Sequence, residues 1–401
     1  MTRRSAALVA VLGVLAAVLA ACARTPAVPA PDVLPPAQAV ADATGTWATV
    51  AMGHLDDPPN TFGELLYRPT DPGCPRDFAA GCGSRDWTLA TPPGVASNGG
   101  LFAATNPDGT LTAGFGVSLD LTFSPLAESG DHGAVWTGGI LPAALVPVTD
   151  ALASSGPTAR LALVSAGGGQ VLSARGDLST WAVLARRATL DPVAAASGCA
   201  LGSLTAVAVT STGDDLVAGT CGSGARAGVF RVAGAGAPSV VTAVGPRVPV
   251  PSGTPVRVDR LVATPAGLSA LVVAGSGPSS RLFLASSADG AATWTVSAPY
   301  PTGSTVASAS VGADGGMVVV LTGSRRAAAT VATVGARWST LPPLPAGTAV
   351  VTVDGRGSYS ALVPSGSSLD VEVLTGGTWT PHQELAVPIP YGSTSAGGGS
   401  G

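Results

Sequence analysis

Lysine is absent from this chain: all 20 basic residues are arginines, and charged residues of every kind make up only 11% of it. That is less than half of the roughly one-quarter share usual in soluble domains. The formal net charge of -4 is spread without runs of like sign. No run of basic residues along the sequence supplies the footprint that counterion release requires, so a nucleic-acid partner is not expected. Groups for acid–base chemistry are scarce as well, with four glutamates (Glu64, Glu128, Glu372, Glu384) and three histidines (His54, His132, His382). No Gly-x-Ser-x-Gly, Walker-type or His-Glu-x-x-His pattern occurs, so the serine hydrolase, P-loop and zincin readings have no support. Beyond the leader no segment shows capped apolar spacing at i, i+3, i+4, and essentially no helix is expected.

What the chain does have is 46% hydrophobic residues, 54 glycines and 34 prolines. The apolar share is enough to bury a core, and the glycines and prolines imply frequent turns. Met1-Thr-Arg3-Arg4 followed by the uncharged stretch Ala6 to Ala21 has the build of a secretory signal over residues 1–21. The stretch ends in Leu19-Ala20-Ala21-Cys22, which matches the bacterial lipobox. By resemblance to lipoprotein precursors, Cys22 would become the first mature residue and carry the lipid that holds the protein to the outer side of a membrane. Residues 22–45, rich in Ala, Pro and Val, read as a semi-extended tether. Residues 391–401, rich in Gly and Ser, read as a disordered tail.

With Cys22 set aside, Cys74, Cys82, Cys199 and Cys221 remain, and in an oxidising compartment two disulfides are expected. Three pairings are possible; the local ones, Cys74–Cys82 and Cys199–Cys221, are favoured. Leu204–Thr210 and Leu216–Gly219 read as two strands around a turn at Thr212-Gly213-Asp214. That hairpin would bring Cys199 and Cys221 together at its open end, within the ~6 Å a disulfide needs.

From about residue 46 to 390 one phrase recurs: a short apolar run, a Gly/Ser turn, a second run, a third, then a Trp step and Pro-rich punctuation. The clearest instance is Leu261–Ala263, Leu268–Ala274, Arg281–Ala285 and Thr293–Ser297, each bounded by turn formers in the manner of strands. Tryptophans recur at Trp87, Trp136, Trp181, Trp294, Trp338 and Trp379. The interval from Trp181 to Trp294 is about two periods, with Phe230 the expected substitute for a Trp in an outer strand. Trp47 precedes the series and is expected in an eighth element or in ring closure.

Two of these tryptophans close a longer pattern, Ser129-Gly-Asp131-His-Gly133-Ala-Val-Trp136 and Ser287-Ala-Asp289-Gly-Ala-Ala-Thr293-Trp294. Both resemble the Asp-box, or BNR, repeat of sialidase-type β-propellers. The resemblance implies an all-β fold with four antiparallel strands per blade. The repeat count points to seven blades, with six or eight as alternatives. In that family the box is a turn between the outer two strands of a blade, remote from the central pocket, and its Trp packs between sheets. Ser129, Asp131, Gly133, Trp136, Ser287, Asp289, Thr293 and Trp294 are accordingly expected to be structural, with Asp131 and Asp289 accepting hydrogen bonds within their own turns.

A sialidase-type glycoside hydrolase would need an arginine cluster for a substrate carboxylate, a Tyr activated by Glu, and an acidic proton donor. Tyr67-Arg68-Pro69 faintly resembles the motif that supplies one such arginine, which makes Arg68 a candidate ligand, although the apolar residue between Arg and Pro is missing. His54-Leu-Asp56-Asp57 groups three metal-ligating types but reads as a solvated loop. His132 lies inside an Asp-box turn and His382 beside an outer strand, neither with a visible partner. No catalytic residue, metal or cofactor is assigned. The chain resembles the BNR-type propeller lipoproteins of actinobacteria, and the expectation is a lipid-anchored, extracytoplasmic, monomeric propeller that binds or scaffolds a protein or glycan. The alternatives are the glycoside hydrolase and an assembly factor for a cell-envelope complex. Any ligand site is expected at the mouth of the central channel, on loops that lead into the inner strands.

Overall fold

A computed structural model describes residues 37–41, 45–53, 61–69, 86–92, 101–105, 111–115, 124–129, 133, 135–141, 152–154, 160–164, 168–175, 181–210, 213–233, 240–322, 327–331, 337–354 and 357–387. All of them belong to one compact unit, Val33–Gly401. The chain folds as successive antiparallel runs of strands, lettered A to G in chain order. Run A is β1 (Gln38–Ala41), β2 (Gly45–Gly53), β3 (Thr61–Pro69) and β4 (Thr88–Leu89); run B is β5 (Leu101–Thr105), β6 (Leu111–Phe115), β7 (Ser124–Ser129) and β8 (Thr137–Leu141). Run C is β9 (Leu152–Ser154), β10 (Arg160–Val164), β11 (Gln170–Arg175) and β12 (Trp181–Arg186), followed by helix α1 (Arg187–Ala196). Run D is β13 (Leu201–Val209), β14 (Asp215–Cys221), β15 (Gly228–Ala233) and β16 (Val240–Ala243). Run E is β17 (Val256–Thr264), β18 (Gly267–Ala274), β19 (Arg281–Ser287) and β20 (Thr295–Val296), with β21 (Tyr300–Pro301) also on β19. Run F is β22 (Thr305–Val311), β23 (Met317–Thr322), β24 (Ala327–Val331) and β25 (Trp338–Thr340), and run G is β26 (Val350–Val353), β27 (Tyr359–Ser365), β28 (Ser368–Thr375) and β29 (Thr378–Ala386).

The strands are short because each is cut by turn formers, and middle strands such as β18 and β23 are apolar nearly throughout because both of their faces are buried. In β18, Leu268, Ala270, Val272 and Ala274 enter a core shared with run D, while Leu271 and Val273 enter one shared with run F. Alternation of side chains across a strand thus feeds two cores from one segment. The fourth strands differ: β29 is exposed or half-buried along its length. Each run packs against the next, and run G packs against run A through Ala48, Val50, Met52, Phe62, Leu66, Val350, Leu362 and Leu369. The order of contacts therefore closes on itself. The innermost strand β1 adds a link of its own, pairing antiparallel with β2 and parallel with β22.

Three of the first hairpins close identically. The amides of Gly213, Gly315 and Gly357 donate to the carbonyls of Thr210, Gly312 and Asp354 at 2.8, 2.9 and 3.0 Å. These glycines have φ of 83°, 81° and 81°, a conformation that a side chain disfavours.

Several expectations need correction. Helix α1 forms where none was expected. Its polar start is fixed by Thr189 Oγ1, which accepts from the Arg186 amide at 3.2 Å and donates to its carbonyl at 2.7 Å. Its end is a left-handed Gly198, with the Gly198 and Cys199 amides returning to Ala195 and Ala194 at 3.0 and 2.8 Å, a Schellman-type stop. Only Leu190 and Ala194 are buried, one turn apart, and Pro192 forfeits an internal hydrogen bond; so short an apolar face carries no readable period. Phe230 lies on β15, the third strand of run D, not on an outer strand; the outer strand β16 has no aromatic. Trp47, expected in an eighth element or in ring closure, is on a strand that takes part in closure through Ala48, Val50 and Met52, but its own side chain faces the other way. It lies on β2, with its ring 4.2 Å from that of Tyr67, and faces run B. The sheet also begins before residue 46, since Gln38–Ala41, inside the stretch read as tether, is β1. Small Ala39 and Ala41 are buried there, so low charge reflected an innermost strand.

The expected hairpin of run D is present, and Cys199 and Cys221 form a disulfide across its open end, with Cα atoms 4.9 Å apart. Cys22, Cys74, Cys82 and the tail lie outside the described residues. No described helix is long and apolar enough to cross a membrane. For a cross-link spanning 22 residues, loop-closure entropy predicts a contribution of about 3 kcal/mol. Replacing Cys199 and Cys221 together by alanine should lower the unfolding free energy read from denaturant titration by that order, whereas unchanged unfolding curves would show that the bond is dispensable.

Candidate functional site

The second Asp-box is built as a closed circuit. Ser287 Oγ accepts from the Ala291 amide at 2.8 Å and donates to Asp289 Oδ1 at 2.8 Å. Asp289 in turn accepts from the Thr293 amide at 2.8 Å and from Thr293 Oγ1 at 2.6 Å. These bonds, the Thr293 hydroxyl first, pull the Asp289 carboxyl down to about 2. The first box repeats the visible half: the Gly133 amide donates to Ser129 Oγ at 2.8 Å, and Trp136 Nε1 donates to the Gly133 carbonyl at 3.0 Å. Asp131 lies outside the described residues, as do His54, Asp56, Asp57 and His132.

The tryptophans do one further thing, and they do it repeatedly. Trp294 of run E donates its indole N–H to the Val244 carbonyl at 2.6 Å, just past the fourth strand of run D. Trp338 of run F reaches the Ala298 carbonyl of run E at 3.0 Å, and Trp379 of run G reaches the Pro342 carbonyl of run F at 3.5 Å. An indole has one donor on a large apolar body, so it can fill the gap between sheets and still satisfy a carbonyl at the rim.

Run A meets run G by a variant of this joint. The Trp87 amide donates to Gln383 Oε1 at 2.7 Å, and Gln383 Nε2 donates to the Trp87 carbonyl at 2.9 Å. His382, which had no visible partner in the sequence, lies 3.2 Å from Asp86. Arg68 belongs here too. It is 6% exposed, donates to Ser360 Oγ at 2.9 Å, lies 3.4 Å from Asp354, and sets its guanidinium 5.1 Å from the centre of the Trp87 ring. Its charge is thus used between the first and last runs. Glu64, two turns of pleat away on the same face of β3, is buried against Thr91 Oγ1. Burial raises its pKa, and the hydrogen bond only partly opposes that.

Polar side chains on the innermost strands follow a second repeat that sequence reading missed. Gln38 Nε2 donates to the Ala103 carbonyl at 3.4 Å, Thr205 Oγ1 to Val258 at 2.7 Å, and Ser310 Oγ to Val351 at 2.5 Å. Arg260, 1% exposed, donates to the Ala309 carbonyl. Each joins one inner strand to the next, from run A to B, D to E, E to F, and F to G. The signal was a lone polar residue inside an apolar run, at no fixed spacing.

At the leading ends of the inner strands, the described surface around runs D and E carries charge. Arg226 and Arg247 sit directly opposite one another in an isolated antiparallel bridge, with Arg226 Nη1 donating to the Gly245 carbonyl at 2.8 Å. Arg257, near the start of β17, pairs with Asp259, with its Nη2 3.1 Å from Oδ2. Among the described residues no group of three or more His, Cys, Asp or Glu is placed to hold a metal.

No protein-family model and no curated protein sequence matches the chain. Among solved structures, a GH74 xyloglucanase from Xanthomonas campestris superposes with a TM-score of 0.53 at 14% identity, over 86% of this chain and 52% of that one. This chain thus spans about half the length of that enzyme. A protein from Lactobacillus plantarum superposes with a TM-score of 0.51 at 13% identity, over 86% of this chain and 97% of that one. These two likenesses show the fold alone, an all-β arrangement of the β-propeller kind. YCF48 bound to D1 peptide superposes more loosely, with a TM-score of 0.43 at 11% identity over 88% and 99% of the two chains.

Two outcomes follow from this geometry. Because the folded Asp289 carboxyl is depressed to about 2, it favours the folded state above the ordinary carboxylate range near 4, and that contribution is lost as pH falls from about 4 towards 2. Asp289→Asn should flatten the dependence of unfolding temperature on pH across that window, and an unchanged slope would count against the circuit. Arg68→Met leaves Asp354, whose side chain is only 10% exposed, without its cation, so a loss of about 3 kcal/mol is expected from chemical denaturation.

Proposed function

We propose that this chain is a seven-bladed β-propeller, held outside the cytoplasm by a lipid on Cys22, that works as a rigid binding or scaffolding module. Runs A to G are the blades on this reading, each a four-stranded meander, with runs A and G joined as described. The observation that carries the binding role is the use of the buried polar groups. Gln38, Thr205, Arg260 and Ser310 all bond neighbouring inner strands, and Arg68 bonds run G. A hydrolase of sialidase type would require Arg68 to face a substrate, and its present contacts use the groups that recognition would need. Side chains occupied in this way stiffen a platform, and variation then falls to the loops at the leading ends of the inner strands. Fold likeness to a xyloglucanase carries no activity across, because function belongs to a site and not to an architecture.

The anchoring rests on Leu19-Ala20-Ala21-Cys22. When the full chain is expressed in a bacterium fed a clickable palmitate analogue, the wild type should be labelled and sediment with membranes. Cys22→Ala should remove the label and shift the protein to the soluble fraction; an unlabelled wild type would overturn the anchoring. Crosslinking on intact cells should then capture a surface-exposed protein or glycan.

A further inference from the structure

The bridge between Arg226 and Arg247 is an electrostatic anomaly in a chain with so little charge. Residues directly opposite in an antiparallel pair project to the same side, and like charges there repel. Arginine is the only basic residue type in this chain, which accounts for the type of cation but not for placing two of them face to face. The pair is also held rigidly. The amides of Ala227 and Val248 donate to the carbonyls of Pro246 and Ala225 at 2.9 and 2.8 Å, fixing both segments against each other. Six residues before Arg226, the bridge of β14 to β17 places Thr220 opposite Arg257, and the Cys199–Cys221 bond pins the same corner. Arg247 is exposed and Arg226 half-buried. One Nη of Arg226 is used on Gly245, which orients the guanidinium and leaves its other donors for a ligand.

The positive charge extends from there. Loop 222–227 lies against the end of α1, where a methyl on Gly224 would come within 2.3 Å of the Gly198 carbonyl. At the other end of this ten-residue helix, about 15 Å away by helical rise, Arg186 and Arg187 are exposed. The acids between residues 186 and 260 are Asp191 on the helix, Asp214, which lies 3.9 Å from Arg231, the buried Asp215, and Asp259, which is already forked onto Arg257. Two pairs of arginines separated along a line match a ligand with repeated negative groups better than a single small anion.

We infer that the Arg226–Arg247 pair and the Arg186–Arg187 pair at the start of α1 form a binding track for a linear acidic polysaccharide. The carboxylate or sulfate of one sugar is bridged by the facing guanidiniums, which suit planar, two-point recognition of oxyanions. The inference rests on the reading of the chain as a binding module and names the ligand class of that surface.

The test uses the mature protein with purified polygalacturonate oligosaccharides and heparin fragments as probes, and sodium sulfate at equal charge as the control. Binding is measured by calorimetry across a salt series. At least one polymeric probe should bind more than tenfold tighter than sulfate, with affinity falling as salt rises. Arg226→Gln/Arg247→Gln should weaken that binding at least tenfold, and Arg186→Gln/Arg187→Gln should reduce the salt dependence. The unfolding temperature of the Arg226→Gln/Arg247→Gln variant should stay level or rise, since a repulsion has been removed; a merely structural pair would instead show a drop. Polymer affinity no better than that of sulfate, or equal binding by the variants, overturns the inference. If crosslinking on cells still captures a protein partner in that case, the track is wrong and the binding-module reading stands.

Discussion

Among the described residues the inner and middle strands bury their faces against the neighbouring runs, and that condition can be met for the first and last runs only if they cover each other. The joint between runs A and G is therefore the contact on which the rest depends. It has an apolar part, in which Met52, Phe62 and Leu66 meet Leu362 and Leu369, and a polar part made by Trp87 with Gln383, Asp86 with His382, and Arg68 with Asp354 and Ser360. Apolar burial supplies the larger share of free energy but is indifferent to register. The reciprocal bonds of Gln383 with the backbone of Trp87 specify one register. A sheet so covered can afford almost uninterrupted apolar strands, which explains how a chain with 11% charge folds without presenting that material to solvent.

Strand edges are the other demand that such an arrangement makes, because inner and outer strands each leave one side of backbone unpaired. Inner edges are served by single polar side chains that reach the next inner strand, as Thr205 does for Val258 and Ser310 for Val351. Rim carbonyls are served by the indoles of Trp294, Trp338 and Trp379. Each bond contributes only about 1 kcal/mol net, but a buried carbonyl left unmet costs more than that. The two repeats are thus the same solution applied at the axis and at the rim.

How legible this was depended on whether partners were close in sequence. The strands, the hairpin of Cys199 and Cys221 and the boxes ending at Trp136 and Trp294 depend on neighbours within about 25 residues, and composition and spacing announce them. Arg68 and Asp354 are 286 positions apart in the chain, so nothing beside Arg68 could tell a ligand from a closure residue. The inner-strand donors are single hydroxyls in apolar runs, which look like ordinary substitutions until the next strand is laid beside them. Helix α1 is hidden for a different reason: its hold on the fold comes from two buried residues and its caps, and Pro192 reads as a breaker. Where a Trp was missing, the nearest aromatic, Phe230, was taken for its substitute, but Phe230 fills a core between runs C and D from the third strand.

The two boxes also explain why the repeat is so faint. Their fifth position needs a left-handed backbone: Gly133 has φ of 86° and Ala291 has φ of 72°. For alanine that conformation costs roughly 1–2 kcal/mol. Yet the Ala291 side chain is buried in the core between runs D and E, and a buried methyl returns about 0.8 kcal/mol, so the substitution is nearly neutral there. At Gly133 a methyl would sit 2.8 Å from the Cβ of Ala90, and no such compensation is open. Glycine is retained where the neighbouring sheet crowds the turn and lost where it leaves room for a side chain. The indole that bridges to the preceding run is kept through this drift at Trp294, Trp338 and Trp379, whereas that of Trp136 turns back onto its own box, at the Gly133 carbonyl.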